Sequence, residues 1–221
     1  PAAALFQNPV TDHKREAWAV FGEVHFSLAE KWNLTVGGRY TEEEKEMKSA
    51  QFFGGAGFAG FLPDGGDDLY VFGTPIFVPI SQAAGKSDWT EFSPKIGLDY
   101  QVNDDVLTYV SYAEGFRSGG FNGRNTTDED IGPFDPEFVD NYEIGMKGDF
   151  ADNTIRLNLA AFYAEYSDKQ EEVIEADGFG GSNTVVSNAS TVDIFGVEAE
   201  FTWVASENFR VNANLGWLDM E

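Results

Sequence analysis

Six stretches of this 221-residue chain carry two aromatics eight positions apart, with only apolar residues or glycine at the three alternate positions between them. They run from Trp18 to Phe26, Trp32 to Tyr40, Phe92 to Tyr100, Tyr142 to Phe150, Phe195 to Trp203 and Phe209 to Trp217. In an extended strand alternate side chains share a face, so each stretch presents one apolar face closed at both ends by a ring. Eight residues rise about 26 Å, or about 20 Å of height at a tilt of about 40°. That height matches the apolar band of a lipid-facing β-barrel wall with an aromatic at each water boundary. A sandwich core could also bury such a face, yet it gives no reason to hold rings at two fixed heights.

The alternate register supports the same reading. It runs Asn33, Thr35, Gly37, Arg39 in one stretch, Ser93, Lys95, Gly97, Asp99 in another, and Glu143, Gly145, Lys147, Asp149 in a third. The last two give Gly196, Glu198, Glu200, Thr202 and Arg210, Asn212, Asn214, Gly216. Only the first breaks the rule, with Ala19 and Phe21 ahead of Glu23 and His25. A face of this kind lines a lumen. Glu143, Lys147, Glu198 and Arg210 are expected there as charges that pair with neighbouring strands or with whatever fills the barrel.

Mean hydropathy of −0.30 and the absence of any run near the ~20 apolar residues of a spanning helix exclude a helical membrane bundle. No cysteine is present, so there is no disulfide framework and no thiolate metal site. The formal charge is −24. Predicted lumenal charges nearly cancel: Arg39, Lys95, Lys147, Arg156 and Arg210 stand against Glu23, Asp99, Glu143, Asp149, Glu198 and Glu200. The acidity is therefore expected in loops and turns, at Glu42 to Glu46, Asp64 to Asp68, Asp128 to Asp130 and Glu171 to Asp177. It reads as a solvated acidic rim, or as a field that gathers cationic ligands. Phosphate-backbone binding of nucleic acid does not suit this balance.

Strands are expected over about 14–29, 32–46, 88–102, 105–117, 136–150, 154–170, 187–204 and 209–220. Short turns alternate with long connections at 47–87, 118–135 and 171–186. Outer-membrane barrels have short periplasmic turns and long extracellular loops. On that rule Trp32, Tyr100, Phe150 and Trp203 form the periplasmic girdle, and Tyr40, Phe92, Tyr142 and Trp217 the outer one. In the fourth strand the even residues Val106, Thr108, Val110 and Tyr112 are the expected outward set. The chain opens at Pro1 and stops at Glu221 while the last strand still rises. We therefore expect an incomplete arc of about eight strands from a larger all-β transmembrane antiparallel barrel, and both edges of such an arc would be left unpaired.

Tyr109-Val-Ser-Tyr-Ala-Glu-Gly-Phe-Arg-Ser-Gly-Gly-Phe-Asn122 resembles a stretch of TonB-dependent outer-membrane receptors, where a rising strand ends in Gly-Phe-Arg-Ser-Gly-Gly-Phe-Asn. Pro136 to Lys147 resembles their Pro-Glu…Asn-Tyr-Glu-Leu-Gly-Lys strand, Leu157 to Gln170 the strand that follows, and Asn188-Ala189 with Gly196-Val-Glu198 the next. Four motifs in the same order cover residues 105–204. The resemblance implies a 22-strand barrel in the outer membrane of a Gram-negative bacterium, filled by an N-terminal plug and importing a scarce ligand such as an iron–siderophore, cobalamin or a glycan. It also implies energy relayed by a TonB complex through an N-terminal region this sequence does not show. The plug and the C-terminal strands are expected to lie outside residues 1–221. Lipid and lipopolysaccharide are the other expected partners. A passive pore or adhesin barrel, and a soluble β-sandwich carbohydrate-binding module, are the alternatives.

Arg117 is the candidate contact for ligand or plug, a fixed cation among glycines at the expected pore mouth, suited to bidentate carboxylate or phosphate. Phe116, Ser118, Phe121 and Asn122 flank it. A structural ion pair or a lipopolysaccharide phosphate contact are other uses for the same side chain. Phe52, Phe53, Phe58, Phe61, Tyr70 and Phe72 make the first long connection aromatic, as a stacking surface or as its own packing. Gly55 to Gly60 matches a dinucleotide fingerprint on paper but lacks the strand-to-helix context. The Asp64 to Asp68 and Asp128 to Asp130 runs lack EF-hand spacing. His13 and His25 are the only histidines and make no metal site. No catalytic constellation is present and no cofactor is implied.

Overall fold

The computed structural model describes residues 6–54, 58–61, 69–72, 78–123, 131–176 and 182–221, with side chains described over 10–50, 82–123, 131–174 and 184–221. Eight long strands form one antiparallel meander: β1 (Phe6–Ala29), β2 (Trp32–Gly54), β5 (Val78–Asn103), β6 (Val106–Arg117), β7 (Glu137–Phe150), β8 (Ile155–Ala176), β9 (Ser182–Ser206) and β10 (Phe209–Met220). Between β2 and β5 a small separate hairpin pairs β3 (Phe58–Phe61) with β4 (Leu69–Phe72). The large sheet does not close: β1 and β10 are its edges. Among the described residues no second large sheet packs on it.

Register carries the face assignment across all eight strands. One continuous row reads Phe26, Leu34, Leu98, Val110, Ile144, Ala161, Val197, Trp217. A row of the other face reads Ser27, Asn33, Asp99, Tyr109, Gly145, Ala160, Glu198, Gly216. The first row is apolar throughout and much of it is exposed: Ile144 is 59% and Trp217 54% accessible. Large apolar side chains exposed in a continuous band mark contact with lipid rather than water. The even residues of β6 fall in this band, as their alternation suggests.

The eight girdle residues all stand on the apolar face. Trp32 and Tyr100 pair across β2 and β5 with ring centroids 4.5 Å apart, and Tyr40 faces Phe92 on the same two strands. Tyr142 lies between Tyr112 and Tyr163, at 4.9 and 6.4 Å. Trp203 and Phe150 are exposed at the opposite ends of their strands from Phe195 and Tyr142.

Two expectations need correction. Pairing continues well beyond the aromatic frame, so β2 runs to Gly54, β5 begins at Val78, and β8 and β9 extend to Ala176 and from Ser182. Above a bilayer neither face needs to be apolar, and backbone pairing alone can prolong a ladder. Glu42 to Glu46 and Glu171 to Ala176 therefore lie in strands rather than loops. The aromatics Phe52, Phe53, Phe58, Phe61, Tyr70 and Phe72 are in strand segments whose side chains lie outside the described residues, as do the runs Asp64 to Asp68 and Asp128 to Asp130.

The wall also divides. β5 pairs with β6 only as far as Lys95↔Ala113, one residue short of Pro94. Proline has no N–H to give a neighbouring strand and is found where a ladder ends. Above that rung β5 stays with β2, while β6 stays with β7 up to Arg117↔Glu137. The gap is crossed higher up by the segment after β6.

Candidate functional site

The polar face of β2 continues past Tyr40 as Thr41, Glu43, Lys45, Met47 and Ser49, because strand alternation does not stop at the girdle. Glu43 is buried there at 4% exposure. It accepts from the Arg15 guanidinium at 2.8 Å, lies 3.0 Å from the Lys45 ammonium, and accepts from the Ser118 hydroxyl at 2.7 Å. Burial by itself would raise its pKa, and the hydrogen bonds from Ser118, Lys45 and Arg15 more than offset that, holding the carboxyl below the ordinary glutamate range. Lys45 also donates to the Ser118 hydroxyl at 2.9 Å and the Gly119 carbonyl at 2.6 Å, with its ammonium 5.4 Å from the Trp89 ring centre. Gly119 packs so closely here that a Cβ would stand 2.2 Å from the Phe134 carbonyl oxygen and 2.6 Å from Trp89 Nε1. Only glycine lets the chain pass.

The segment after β6 is thus drawn onto β1, β2 and β5. Phe121 packs against Met47, Ala83 and Ile131, the small buried apolar cluster of the described residues, and meets Trp89 edge-on at 6.2 Å. The Gly123 carbonyl accepts from Thr11 and Ser49 hydroxyls. Asn122 reaches the other way: its amide bonds the Val186 carbonyl at 3.2 Å and accepts the Val186 N–H at 2.7 Å.

The four motif stretches meet at the foot of this segment. Gln170 of β8 donates to the Ser118 and Asp135 carbonyls at 3.1 Å each. Asn188, its cross-strand neighbour on β9, donates to the Asp135 and Asp168 carbonyls at 2.8 Å each and accepts from the Asp135 N–H at 2.8 Å. The sequence motifs are therefore one tertiary junction.

Beside it lies a cavity of about 830 Å³ on the polar face. Arg15, Arg39, Lys45, Lys95 and Arg117 line it, against Glu23, Glu43 and Glu114. Five of the fourteen Lys and Arg residues but three of the thirty-eight carboxylates gather here, so the site reverses the sign of the whole chain. Three of the cations are paired locally, Arg15 and Lys45 sharing Glu43 and Lys95 meeting Glu23 at 2.7 Å. Arg39 and Arg117 have no ion pair among the described residues. Arg39 donates to Thr41 at 3.0 Å and lies 5.8 Å from the centre of the Phe21 ring. Phe21, the exception to the sequence rule, is a platform for that guanidinium. Two guanidiniums beside a cavity suit a ligand carrying carboxylate, phosphate or another anionic oxygen.

The predicted site residues divide accordingly. Arg117 faces the cavity, and Phe116 borders it while packing on Phe138. Ser118, Phe121 and Asn122 are engaged within the protein. The four lumenal charges stand on the polar face, but Glu143 and Lys147 meet through Tyr109, whose hydroxyl donates to Glu143 at 2.6 Å while Lys147 lies 5.4 Å from its ring centre. Tyr109 covers Gly145, where a Cβ would be 2.4 Å from the ring. Glu198 and Arg210 make no ion pair among the described residues. Glu43, Lys45, Gln170 and Asn188 were not anticipated as site residues; counting alternate positions on from Arg39 along the expected strand, rather than polarity, was the available signal for the first two.

Comparison with known proteins places this architecture. The family model described as TonB dependent receptor-like, beta-barrel, matches residues 1–221. The pesticin receptor of Yersinia enterocolitica is 34% identical over 119 residues, covering 54% of this chain and 17% of that protein. A probable TonB-dependent siderophore receptor, PiuA, of Acinetobacter baumannii is 23% identical over 98% of this chain and 25% of its own length. The crystal structure of the ferric yersiniabactin uptake receptor FyuA of Yersinia pestis superposes with a TM-score of 0.70 at 21% identity, covering 96% of this chain and 28% of that one. The chain spans about a quarter or less of the curated relatives it matches.

Proposed function

Because the chain belongs to the TonB-dependent receptor β-barrel family, outer-membrane receptors of Gram-negative bacteria rather than enzymes, we propose that its polar face lines the route by which an anionic ligand, such as a metal–chelate complex, is taken up. The observation that carries this is the sign reversal at the 830 Å³ cavity, where Arg39 and Arg117 have no carboxylate partner among the described residues. Uptake would be energised through a plug and a TonB-contacting segment of the whole protein. The matched relatives with siderophore names are consistent with a chelate cargo. A neutral glycan would gain little from two guanidiniums.

The test uses the full-length receptor and a panel of ferric complexes of differing charge, with a neutral oligosaccharide as comparison. Charge-assisted hydrogen bonds contribute about 1.5–3 kcal/mol each. Arg39→Gln with Arg117→Gln is thus expected to weaken the tightest anionic complex by about 100-fold or more, while assembly in the outer membrane stays normal. A double variant that binds and imports that complex as the parent does, or a parent that takes up only the neutral sugar, would overturn the reading.

A further inference from the structure

Gln170 is placed where two chain ends must be held together. β6 stops at Arg117 and β7 begins at Glu137, the last rung of their ladder, so the carbonyls of Ser118 and Asp135 lie beyond it and need donors from elsewhere. A carboxamide nitrogen supplies two N–H groups. The Gln170 amide lies 3.1 Å from the Ser118 and Asp135 carbonyls and 3.5 Å from that of Arg117, reaching one carbonyl on each side of the opening.

The strand is shaped to bring it there. Asp168 takes a left-handed φ of 53°, and the β8–β9 register shifts on both sides of Lys169. This double bulge frees the Gln170 N–H from the ladder, and it bonds the Glu137 carboxylate at 2.9 Å instead. Asn188 fastens the bulge by donating to the Asp168 carbonyl at 2.8 Å. Bulges re-aim side chains next to functional sites. Here the re-aimed side chain borders the same cavity as Arg117.

We propose that Gln170 is a positioning residue: its carboxamide ties the end of β6 to the start of β7 and so fixes the direction in which Arg117 enters the cavity. This rests on the reading that Arg117 serves an anionic ligand. The tie itself is a property of the ligand-free protein and is measured as such. Without it the chain after Arg117 is still held by Glu43 and Lys45 at Ser118 and Gly119 and by the Gly120–Phe134 bridge, but on the β8 side the Arg117 backbone loses its tie and gains freedom.

Nitroxide labels at Arg117→Cys and Lys147→Cys, in full-length receptor otherwise free of cysteine, report the distance from the junction to the rigid wall of β7. Labels at Lys95→Cys and Lys147→Cys report wall to wall. Gln170→Met keeps length and removes both donors. It is expected to broaden the 117–147 distance distribution at least twofold and leave the 95–147 distribution unchanged. An unchanged 117–147 distribution would overturn the proposal, as would equal broadening of both, which would make Gln170 a general support of the wall. Neither outcome depends on whether Arg117 binds anions.

Discussion

Ile96→Arg is expected to cost assembly about 2–4 kcal/mol, the penalty of a guanidinium at the middle of the lipid-facing band. Ile96 sits on the apolar face between Val36 and Tyr112, four residues from both Phe92 and Tyr100, so each water boundary is as far from its side chain as the frame allows. Heat-modifiable, folded receptor recovered from outer membranes measures the effect. Lys95→Ala is the companion substitution. Lys95 faces the other way and pairs with Glu23 at 2.7 Å, both groups being partly exposed. An exposed pair of that kind contributes about 0–1 kcal/mol, so Lys95→Ala is expected to assemble nearly as the parent does. Equal loss from the two substitutions would show that the faces have been assigned the wrong way round.

That contrast tests what was legible in the sequence. Alternation between Trp32 and Tyr40, or Phe92 and Tyr100, determines which side chains share a face, and lipid demands that one face be uniformly apolar. Residues such as Leu98 and Glu143 could therefore be placed from pattern alone. Past Tyr40 the demand ends. Glu42, Glu44 and Glu46 still alternate with Glu43 and Lys45, but both faces are charged and the period of two is invisible in polarity. The run consequently counts with the acidity of loops and turns although the expected strand reaches Glu46.

The junction at Gln170 was hidden for a different reason. Its parts were visible as four motif stretches, yet their meeting depends on the bulge at Asp168, which resets register, and on contacts spanning 35 to 53 residues. Nor does a residue type announce that its partner is a carbonyl. Ser118, Phe121 and Asn122 looked like ligand contacts because they flank Arg117 in sequence. In space they anchor the segment that carries it, Ser118 doing so at the edge of the cavity, which is why a short motif can be constrained along its whole length while Arg117 faces the cavity.

Glu43→Ala is expected to destabilise the mouth by about 3 kcal/mol, because removing one member of a buried ion pair strands the other. Arg15, well exposed, can turn to solvent; the Lys45 side chain, 14% accessible, cannot do so readily. The loss should be local and is read as faster hydrogen exchange at the Gly120 and Asn122 amides, whose bonds to Phe134 and Ile131 depend on the segment staying docked. Lys45→Met in the same background should recover part of the loss, since it removes the stranded ammonium while keeping a side chain against Trp89. The pH dependence has a defined sign. Glu43 has its carboxyl depressed below the ordinary 4.5, so the unfolded mouth takes up the proton first as pH falls. The contribution is complete above the unfolded value and fades as pH drops through the lower folded one. Protection of the two amides in the parent should therefore decline in acid below about 4.5, whereas the Glu43→Ala variant should show no such decline from this cause. If the parent's protection were flat through that range, or Lys45→Met deepened the defect, the Glu43 network would not be what holds the segment beside Arg117.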